Sequence, residues 1–226
     1  MSGVAATPEL HAARAGGFEV AAATLRGARR EVNEDRVSVC GRGFCVFDGI
    51  GGCGAGEVFA ELAANRVRRG LLGGEDPGRA LAGASRDLAS LGREVLRSPG
   101  GATGCACALG EGGCRLAVLG DVRVFLVGPG GVEEVCRDVP GLGGAYLGDG
   151  RSAPRVGLIG ERRLEAHVLL ACSDGFWRFV GARELAEVVR GAPTLGEAAA
   201  RLVRLARSCA SPDDVTVALC RPLAES

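Results

Sequence analysis

The chain has 226 residues, 47% of them hydrophobic, and its 27 basic side chains balance 27 acidic ones. This length and apolar content are typical of one domain with a substantial core, and they exclude a disordered chain. The zero formal net charge gives no electrostatic reason to expect nucleic acid or a membrane surface as the main partner. No apolar run approaches the length of a transmembrane helix. The sequence does not show the oligomeric state, for which a monomer is favoured.

The ten cysteines could indicate a disulfide framework, but a chain of this length and apolar content does not need one. Residues 1–17 contain neither the basic nor the apolar region of a signal peptide. Several cysteines lie within or beside apolar runs, where cysteine behaves as a small hydrophobic residue: Cys45, Cys107, Cys172 and Cys220. We therefore expect reduced thiols in a cytoplasmic protein.

The predicted elements begin after a weakly patterned segment, residues 1–17, which we expect to be a flexible tail ahead of a single domain over residues 18–226. The pattern of apolar residues predicts strands over residues 18–25, 36–40 and 44–47, and helices over residues 55–72 and 77–97.

The second half of the chain returns to strands. Short runs separated by glycine-bearing turns predict an antiparallel meander over residues 102–109, 114–119, 122–127 and 132–136. Further elements are predicted as a strand over 165–172, a helical turn over 176–179, helices over 182–190 and 195–208, and a strand over 214–221. This order does not fit an alternating parallel fold. It predicts an α+β fold in which two antiparallel sheets pack face to face and helices cover both outer faces.

Four acidic islands lie beside the predicted strands. They are Asn33-Glu34-Asp35, Asp48-Gly49-Ile50-Gly51-Gly52, Ser173-Asp174-Gly175 and Asp213-Asp214. A carboxylate at the end of a buried strand is costly unless it is paired or coordinates a metal. Because these carboxylates have no matching basic residue beside each of them, the pattern favours a cation that balances them together.

Each island alone has a simpler explanation. The glycines after Asp48 could form an ordinary turn, and Asp174 could cap the short helix that follows it. Of the pair Asp213-Asp214, one could reach a metal while the other caps a turn, and residues 33–35 could be a solvated loop. Their joint occurrence at strand ends favours the metal site.

The ordered motifs of this chain resemble those of the metal-dependent serine/threonine protein phosphatases of type 2C, the PPM family. The resemblance extends from about residue 17 to the end of the chain. It rests on Arg30 with Asn33-Glu34-Asp35, Asp48-Gly49-Ile50-Gly51-Gly52 with Gly54-Ala55-Gly56-Glu57, Gly101-Ala102-Thr103, Gly120-Asp121-Val122-Arg123, Leu170-Ala171-Cys172-Ser173-Asp174-Gly175-Phe176-Trp177 and Asp213-Asp214-Val215-Thr216-Val217.

The resemblance implies an enzyme that hydrolyses phosphoserine and phosphothreonine in proteins by means of water activated at a centre of two Mn²⁺ or Mg²⁺ ions. Asp48 would bridge both ions and hold the nucleophilic water, and the carbonyl of Gly49 would bind one ion. Asp174 and Asp213 would hold the other. Two such ions can lower the pKa of a shared water enough to supply hydroxide near neutral pH.

The remaining site residues also follow from the resemblance. Glu34 and Asp35 would contact the ions directly or through water. Asp121, together with Asp174, matches the position of a third ion in many members. Arg30 matches the arginine that holds the substrate phosphate, a role that suits its planar fork of donors. The simpler alternative for Arg30 is a plain surface arginine.

Three departures from the family pattern concern the surroundings of these residues. Val122 replaces the usual serine, which removes a polar neighbour of the site. Arg178 stands where an acidic residue is common, and a cation there would weaken binding of a third metal. Residues 138–147 form only a short glycine-rich loop where many relatives carry a flap, so we expect the flap to be reduced or missing.

Two other functions remain open from the sequence. One is a non-catalytic protein of the same fold that binds a partner, and the other is a metallohydrolase of small phosphoesters. A cysteine phosphatase is disfavoured because Asp174 lies inside the Cys172-x5-Arg178 spacing and would repel a thiolate and a phosphate. His11 and His167 are poor general-base candidates. The expected partner is a protein phosphorylated by a serine/threonine kinase.

Overall fold

The computed structural model describes residues 7–51, 55–97, 100–136 and 144–223. Within these ranges the strands form two sheets, and every pair of neighbouring strands is antiparallel. Sheet A has the order β1 (Glu9–Ala15), β2 (Phe18–Leu25), β11 (Val215–Pro222), β10 (Val168–Cys172), β7 (Arg123–Gly128) and β8 (Gly131–Cys136). Sheet B has the order β3 (Asp35–Cys40), β4 (Gly43–Gly51), β5 (Gly100–Gly110), β6 (Gly113–Leu119) and β9 (Arg155–Gly160).

The longer helices cover the two outer faces. On sheet B lie α1 (Gly56–Leu72) and α2 (Pro77–Ser90), and α2 continues as a π-helix over Leu91–Leu96. On sheet A lie α5 (Ala182–Gly191) and α6 (Leu195–Ser208). Two short helices, α3 (Glu161–Glu165) and α4 (Asp174–Trp177), flank β10. The predicted four-layer α+β sandwich is confirmed. None of the described helices has both the length and the apolar character that crossing a membrane requires.

Local sequence explains where the better-defined helices begin. The Asp76 carboxylate accepts hydrogen bonds from the amides of Gly78 and Arg79, and Pro77 occupies the first helical position of α2. The Thr194 hydroxyl accepts from the amide of Glu197 at the start of α6. Both caps satisfy amides that have no partner within the helix.

The central strands are apolar on both faces because each sheet lies between the other sheet and a helical layer. In β4, Phe44 and Val46 point into the core between the sheets, whereas Cys45 and Phe47 point toward α1 and α2. This double burial explains why the strands have continuous apolar runs instead of alternating patterns. Eight of the cysteines that the structure describes form no disulfide bond, and seven of these eight are buried.

The expected tail over residues 1–17 is wrong for Glu9–Ala15, which form β1. This edge strand pairs with β2 from Glu9 opposite Thr24 to Ala15 opposite Phe18. Its side chains are mostly exposed or half-buried. It is therefore held largely by backbone hydrogen bonds, which a pattern of apolar residues does not reveal. Residues 1–6 lie outside the described ranges.

The predicted meander is also wrong, because its four strands divide between the two sheets. β5 and β6 belong to sheet B, whereas β7 and β8 belong to sheet A. The chain crosses between the sheets at Gly120, which has a φ of +91°, a conformation that favours glycine.

Three smaller differences concern the ends of elements. The sequence analysis missed β9, an edge strand on which Val156 and Leu158 remain exposed. The predicted strand over residues 165–172 begins only at Val168, because α3 ends at Glu165. The predicted helix over residues 77–97 changes from α to π geometry at Leu91.

Candidate metal centre

Strand pairing brings the acidic islands to one end of the sandwich. In sheet A, Cys172 of β10 lies opposite Val217 of β11, so the residues that follow β10 are beside those that precede β11. Asp174 and Asp213 are therefore neighbours. In sheet B, Asp48 near the end of β4 occupies the same edge of the core. Asp121 lies in the crossing between the sheets, just before Arg123, which pairs with Cys172.

These residues surround a pocket of about 440 Å³. Its lining includes seven of the eight residues predicted for the site: Arg30, Glu34, Asp48, Gly49, Asp121, Asp174 and Asp213. The rest of its described lining consists of Ile50, Thr103, Gly144 and Ala145. Five acidic side chains thus face one space beside a single lining arginine. A neighbouring depression of about 520 Å³ contains only Asp149 as an acidic residue and does not offer the same set of donors.

Asp35 is the predicted residue that does not line this pocket. Its side chain is buried, and it lies opposite Asp48 in the register of β3 and β4. The Ser173 hydroxyl donates to Asp35 Oδ2 at 2.7 Å, which joins the two sheets behind the pocket. Direct contact between Asp35 and a ligand in the pocket is therefore not supported by its position.

Burial and crowding shift the acidic groups toward their neutral forms. The pKa of Asp48 lies well above its ordinary value, first because the side chain is buried and then because Asp35 and Asp174 are close. Burial and the Asp121 charge likewise raise the pKa of Asp174. A cation would balance Asp48 and Asp174 in their ionised forms.

Arg30 is held at the pocket and is not a plain surface arginine. Its Nη1 donates to Glu34 Oε2 at 2.6 Å. Its Nε and Nη2 donate to Asp213 Oδ1 at 3.0 and 2.6 Å. The guanidinium thus joins Glu34, from one acidic island, to Asp213, from another, 183 residues from Arg30 along the chain. Burial raises the pKa of Glu34, although the charge of Arg30 acts in the opposite direction.

The two adjacent aspartates before β11 have different roles. Asp213 lines the pocket. Asp214 is buried, and its two oxygens accept from the amide of Gly27 at 2.6 Å and the amide of Glu34 at 2.8 Å. The expectation that one of this pair caps a turn is confirmed for Asp214, which holds the segment bearing Arg30. By contrast, Asp174 is the first residue of α4, whose N-cap is Ser173, so Asp174 does not cap that helix.

Two glycines allow β4 to approach the start of α1. A Cβ on Gly49 would lie 2.1 Å from the carbonyl oxygen of Gly56. A Cβ on Gly56 would lie 2.8 Å from Glu34 Oε1 and 2.9 Å from the carbonyl oxygen of Gly49. Glycine at both positions therefore leaves the Glu34 carboxylate and the Gly49 carbonyl beside each other at the pocket wall.

Asp121 is fixed by its neighbours. The Thr103 hydroxyl donates to Asp121 Oδ1 at 2.9 Å, and Trp177 Nε1 donates to the Asp121 carbonyl at 2.9 Å. The guanidinium carbon of Arg123 lies 3.4 Å from the centre of the Trp177 ring, a cation–π contact. Val122, the first departure from the family pattern, is buried in the core between the sheets and does not line the pocket.

The second departure, Arg178, makes contact with the acidic residues. Its Nε lies 3.0 Å from Asp174 Oδ2, and its Nη2 lies 3.7 Å from Asp121 Oδ2. The third departure, the short loop over residues 138–147, falls mostly on residues 137–143, which lie outside the described ranges. Gly144 and Ala145 from its end reach the pocket.

The donor set fits a hard divalent cation. All the polar pocket atoms that could coordinate an ion are oxygens, the ligands preferred by Mg²⁺ and Mn²⁺. In the part of the chain that the structure describes, no three acidic, histidine or cysteine side chains close around a single point. Several carboxylates are instead paired with Arg30 and Arg178, so an ion would require these side chains to reorient and water to complete its coordination.

The other chemistries considered from the sequence find no support in the geometry. Cys172 is fully buried, and burial raises the pKa of its thiol well above the ordinary value, so it is not a nucleophile at the pocket. His11 lies in β1 and pairs with Glu9, and His167 Nδ1 contacts the carbonyl of Arg163. Neither histidine lines the pocket.

The sequence analysis missed the supporting roles of Thr103 and Ser173. Thr103 lies opposite Asp48 in the pairing of β4 with β5, and only this register brings it to the site. Ser173 is recognisable only as a neighbour of Asp174, because its contact with Asp35 spans 138 residues.

Comparison with known structures first identifies the fold. The chain has the fold of bacterial serine/threonine phosphatases. It superposes on Stp1 from Staphylococcus aureus with a TM-score of 0.79 at 19% identity, over 92% of this chain and 97% of that structure. No protein-family model matches the chain.

The sequence of this chain is similar to that of the serine/threonine protein phosphatase PstP of Mycobacterium tuberculosis. It is 29% identical over 227 residues, which cover 87% of this chain and 43% of PstP. The chain thus spans less than half the length of this curated relative. The catalytic domain of PstP, solved in complex with two manganese ions, superposes with a TM-score of 0.81 at 24% identity over 90% of this chain. The resemblance to type 2C phosphatases predicted from the motifs is confirmed.

Proposed function

We propose that this chain is a metal-dependent phosphoprotein phosphatase that hydrolyses phosphoserine and phosphothreonine with Mn²⁺ or Mg²⁺. The observation that carries the proposal is a single pocket in which acidic residues from both sheets meet Arg30. The similarity to PstP supports the same activity.

The chain would hold the ions through oxygen atoms around the pocket. We assign Asp48, with Asp174 and Asp213, to the centre of the site, and the Gly49 carbonyl, Glu34 and Asp121 to its periphery. Asp35, which lies behind the pocket, would act through Asp48 and Ser173. When bound, two divalent ions would lower the pKa of a water molecule and neutralise charge on the phosphate.

Arg30 would bind the phosphate of the substrate. Its side chain is exposed at the pocket, and its planar donors match two oxygens of a phosphate group. Glu34 and Asp213 hold the guanidinium from two sides, which limits its orientations before the substrate arrives. Hydrolysis of a phosphoester depends mainly on positioning the phosphate and neutralising its negative charge. Arg30 is the side chain that would do both.

The assay is hydrolysis of a phosphothreonine peptide and of p-nitrophenyl phosphate with Mn²⁺, and with EDTA in excess. We expect activity that EDTA abolishes, and a loss of at least about 100-fold in Asp48→Asn or Asp174→Asn. Asp87→Asn is the matched control, because Asp87 is half-exposed on α2 and pairs only weakly with Arg66 at 3.7 Å. Activity that survives both active-site substitutions would exclude the proposal.

The ratio of rates on the two substrates separates the remaining alternatives. A protein phosphatase prefers the peptide, whereas a hydrolase of small phosphoesters prefers p-nitrophenyl phosphate. A folded protein that binds Mn²⁺ and hydrolyses neither would be a non-catalytic relative.

We further propose that the substrate is made by a serine/threonine kinase, since only such an enzyme produces the phosphoester that this site would cleave. Buried free thiols are compatible with the reducing cytoplasm, the compartment proposed here. That the protein is a monomer stays a prediction, which light scattering would test.

A further inference from the structure

Arg178 lies against two carboxylates of the proposed metal centre. Its Nε is 3.0 Å from Asp174 Oδ2, four residues before it, and its Nη2 is 3.7 Å from Asp121 Oδ2. Asp174 is the first residue of α4 after β10, and Asp121 lies in the crossing before β7, so the two residues come from different segments at the end of sheet A. One guanidinium therefore connects the two residues that the family resemblance associates with a third ion.

The surrounding structure holds Arg178 in this position. Its amide donates to the Asp174 carbonyl at 3.2 Å. Its guanidinium carbon lies 5.1 Å from the centre of the Trp177 ring, and that ring is anchored by the hydrogen bond from Nε1 to the Asp121 carbonyl. Arg123 also contacts the same ring and helps to hold the indole. The pairing of Arg178 thus belongs to a set of contacts around Trp177, although its own side chain is more than half exposed.

The oxygens that a further ion would need are already engaged. Asp121 Oδ1 accepts from Thr103, and Asp121 Oδ2 faces Arg178. Asp174 Oδ2 also faces Arg178, so three of the four carboxylate oxygens of the pair already have a partner. An arginine side chain does not lose its proton in proteins, so its positive charge persists at any pH at which the protein is folded.

We propose that Arg178 is a built-in cation at the Asp121–Asp174 pair, so that this centre takes two divalent ions and excludes a third. The inference rests on the proposed metal centre. A third dication at this pair would be repelled by a fixed positive charge a few ångströms away, in a partly buried site where such repulsion is strong. Arg178 neutralises one of the two negative charges of the pair at any concentration of free metal.

The test counts Mn²⁺ ions by equilibrium dialysis and calorimetry on the purified full chain. The wild type binds two ions and no third at millimolar Mn²⁺. Arg178→Gln removes the charge and keeps the size of the side chain, and Arg178→Glu adds a carboxylate. In both variants a third ion binds, with an affinity at least about tenfold higher than any third-site binding in the wild type.

Two further variants separate this role from a general change in charge. Arg183→Gln removes the same charge from a side chain that is highly exposed on α5 and paired with Glu187, and it still binds two ions. Asp121→Asn in the Arg178→Gln background removes the third ion and leaves the other two. Circular dichroism checks that each variant is folded, which is expected because the Arg178 side chain is more than half exposed.

The outcomes separate the inference from the function on which it rests. Three ions in the wild type, or two in both Arg178 variants, overturn the role of Arg178 while leaving the metal centre intact. No bound Mn²⁺ in the wild type overturns the metal centre and the role of Arg178 with it. A third ion that binds the Arg183→Gln variant equally well also overturns the inference.

Discussion

Asp35 lies directly opposite Asp48 in the antiparallel register of β3 and β4, and only Asp48 of the two faces the pocket. Burial raises the pKa of Asp35 to about 7, although hydrogen bonds with Ser173 and Thr216 oppose the shift. The deeper carboxyl therefore supports the site from behind and remains largely protonated in acidic solution.

The raised pKa of Asp35 predicts how stability depends on pH when EDTA removes divalent metals. The group titrates near 3.8 when unfolded and near 7 when folded, so the folded state binds more protons between these values. The stabilisation is complete below about pH 4 and is lost as the pH rises through about 7. We expect the contribution of this group to the free energy of unfolding in EDTA, measured by urea denaturation, to fall between about pH 4 and about pH 7.

Asp35→Asn is the matched variant for this dependence. It keeps an oxygen that can accept from Ser173 and removes the titration, so its stability in EDTA should vary less with pH than that of the wild type. An identical pH dependence in the two proteins would contradict the assignment to Asp35.

Arg30 provides a prediction about substrate binding. Arg30→Ala removes charge-assisted hydrogen bonds to phosphate, which are worth about 1.5–3 kcal/mol, so kcat/KM should fall about 10–100-fold. Arg30→Lys keeps the charge but not the planar fork and should recover only part of the loss. Steady-state kinetics on the phosphothreonine peptide measure both. Arg29→Ala, at the exposed neighbouring arginine, is the control, and an equal loss there would argue against a specific role.

The hydrogen bonds of Asp214 should stabilise the folded protein next to the site. Asp214→Ala leaves the amides of Gly27 and Glu34 without their acceptor and should lower the free energy of unfolding by about 1–3 kcal/mol. Asp214→Asn retains one acceptor oxygen and should lose less. Urea denaturation measures both values, and wild-type stability in the alanine variant would show that the cap is not needed.

Trp177 offers a spectroscopic report of ion binding, because it is the only tryptophan in the chain. Its indole donates to the Asp121 carbonyl and contacts Arg123, so reorientation of Asp121 and Asp174 should change its emission. We expect Mn²⁺ to change the fluorescence, EDTA to reverse it, and Asp174→Asn to raise the required Mn²⁺ concentration about tenfold or more. An emission spectrum that does not respond to saturating Mn²⁺ would count against an ion at Asp174.

Gly49 tests the close approach of β4 and α1. Gly49→Ala places a Cβ 2.1 Å from the Gly56 carbonyl oxygen and should destabilise the protein by about 1–3 kcal/mol or more. Gly41→Ala is the control, because a Cβ there meets no atom within 4 Å, and its effect should stay within about 0.5 kcal/mol. Thermal unfolding compares them, and equal stabilities would contradict the steric argument.

The sequence by itself determined the layered α+β architecture and the chemical type of the site. The runs in β4, β10 and β11 are apolar on both faces because every residue is covered by a sheet or a helix, so their positions can be read directly. The acidic residues at their ends, such as Asp48 and Asp174, stand out because a buried strand does not tolerate an unbalanced charge.

Only the tertiary structure decided how these pieces join. The chain places β5 and β6 in one sheet and β7 and β8 in the other, and it adds β1 at an edge. These pairings depend on backbone hydrogen bonds, which leave little trace in the pattern of side chains. The buried position of Asp35, the cap by Asp214 and the pairing of Arg178 with Asp121 depend on residues distant in the chain. Those contacts form only when separate strands meet at one edge of the sandwich. They determine the net charge at the site, which the acidic residues of the sequence alone do not.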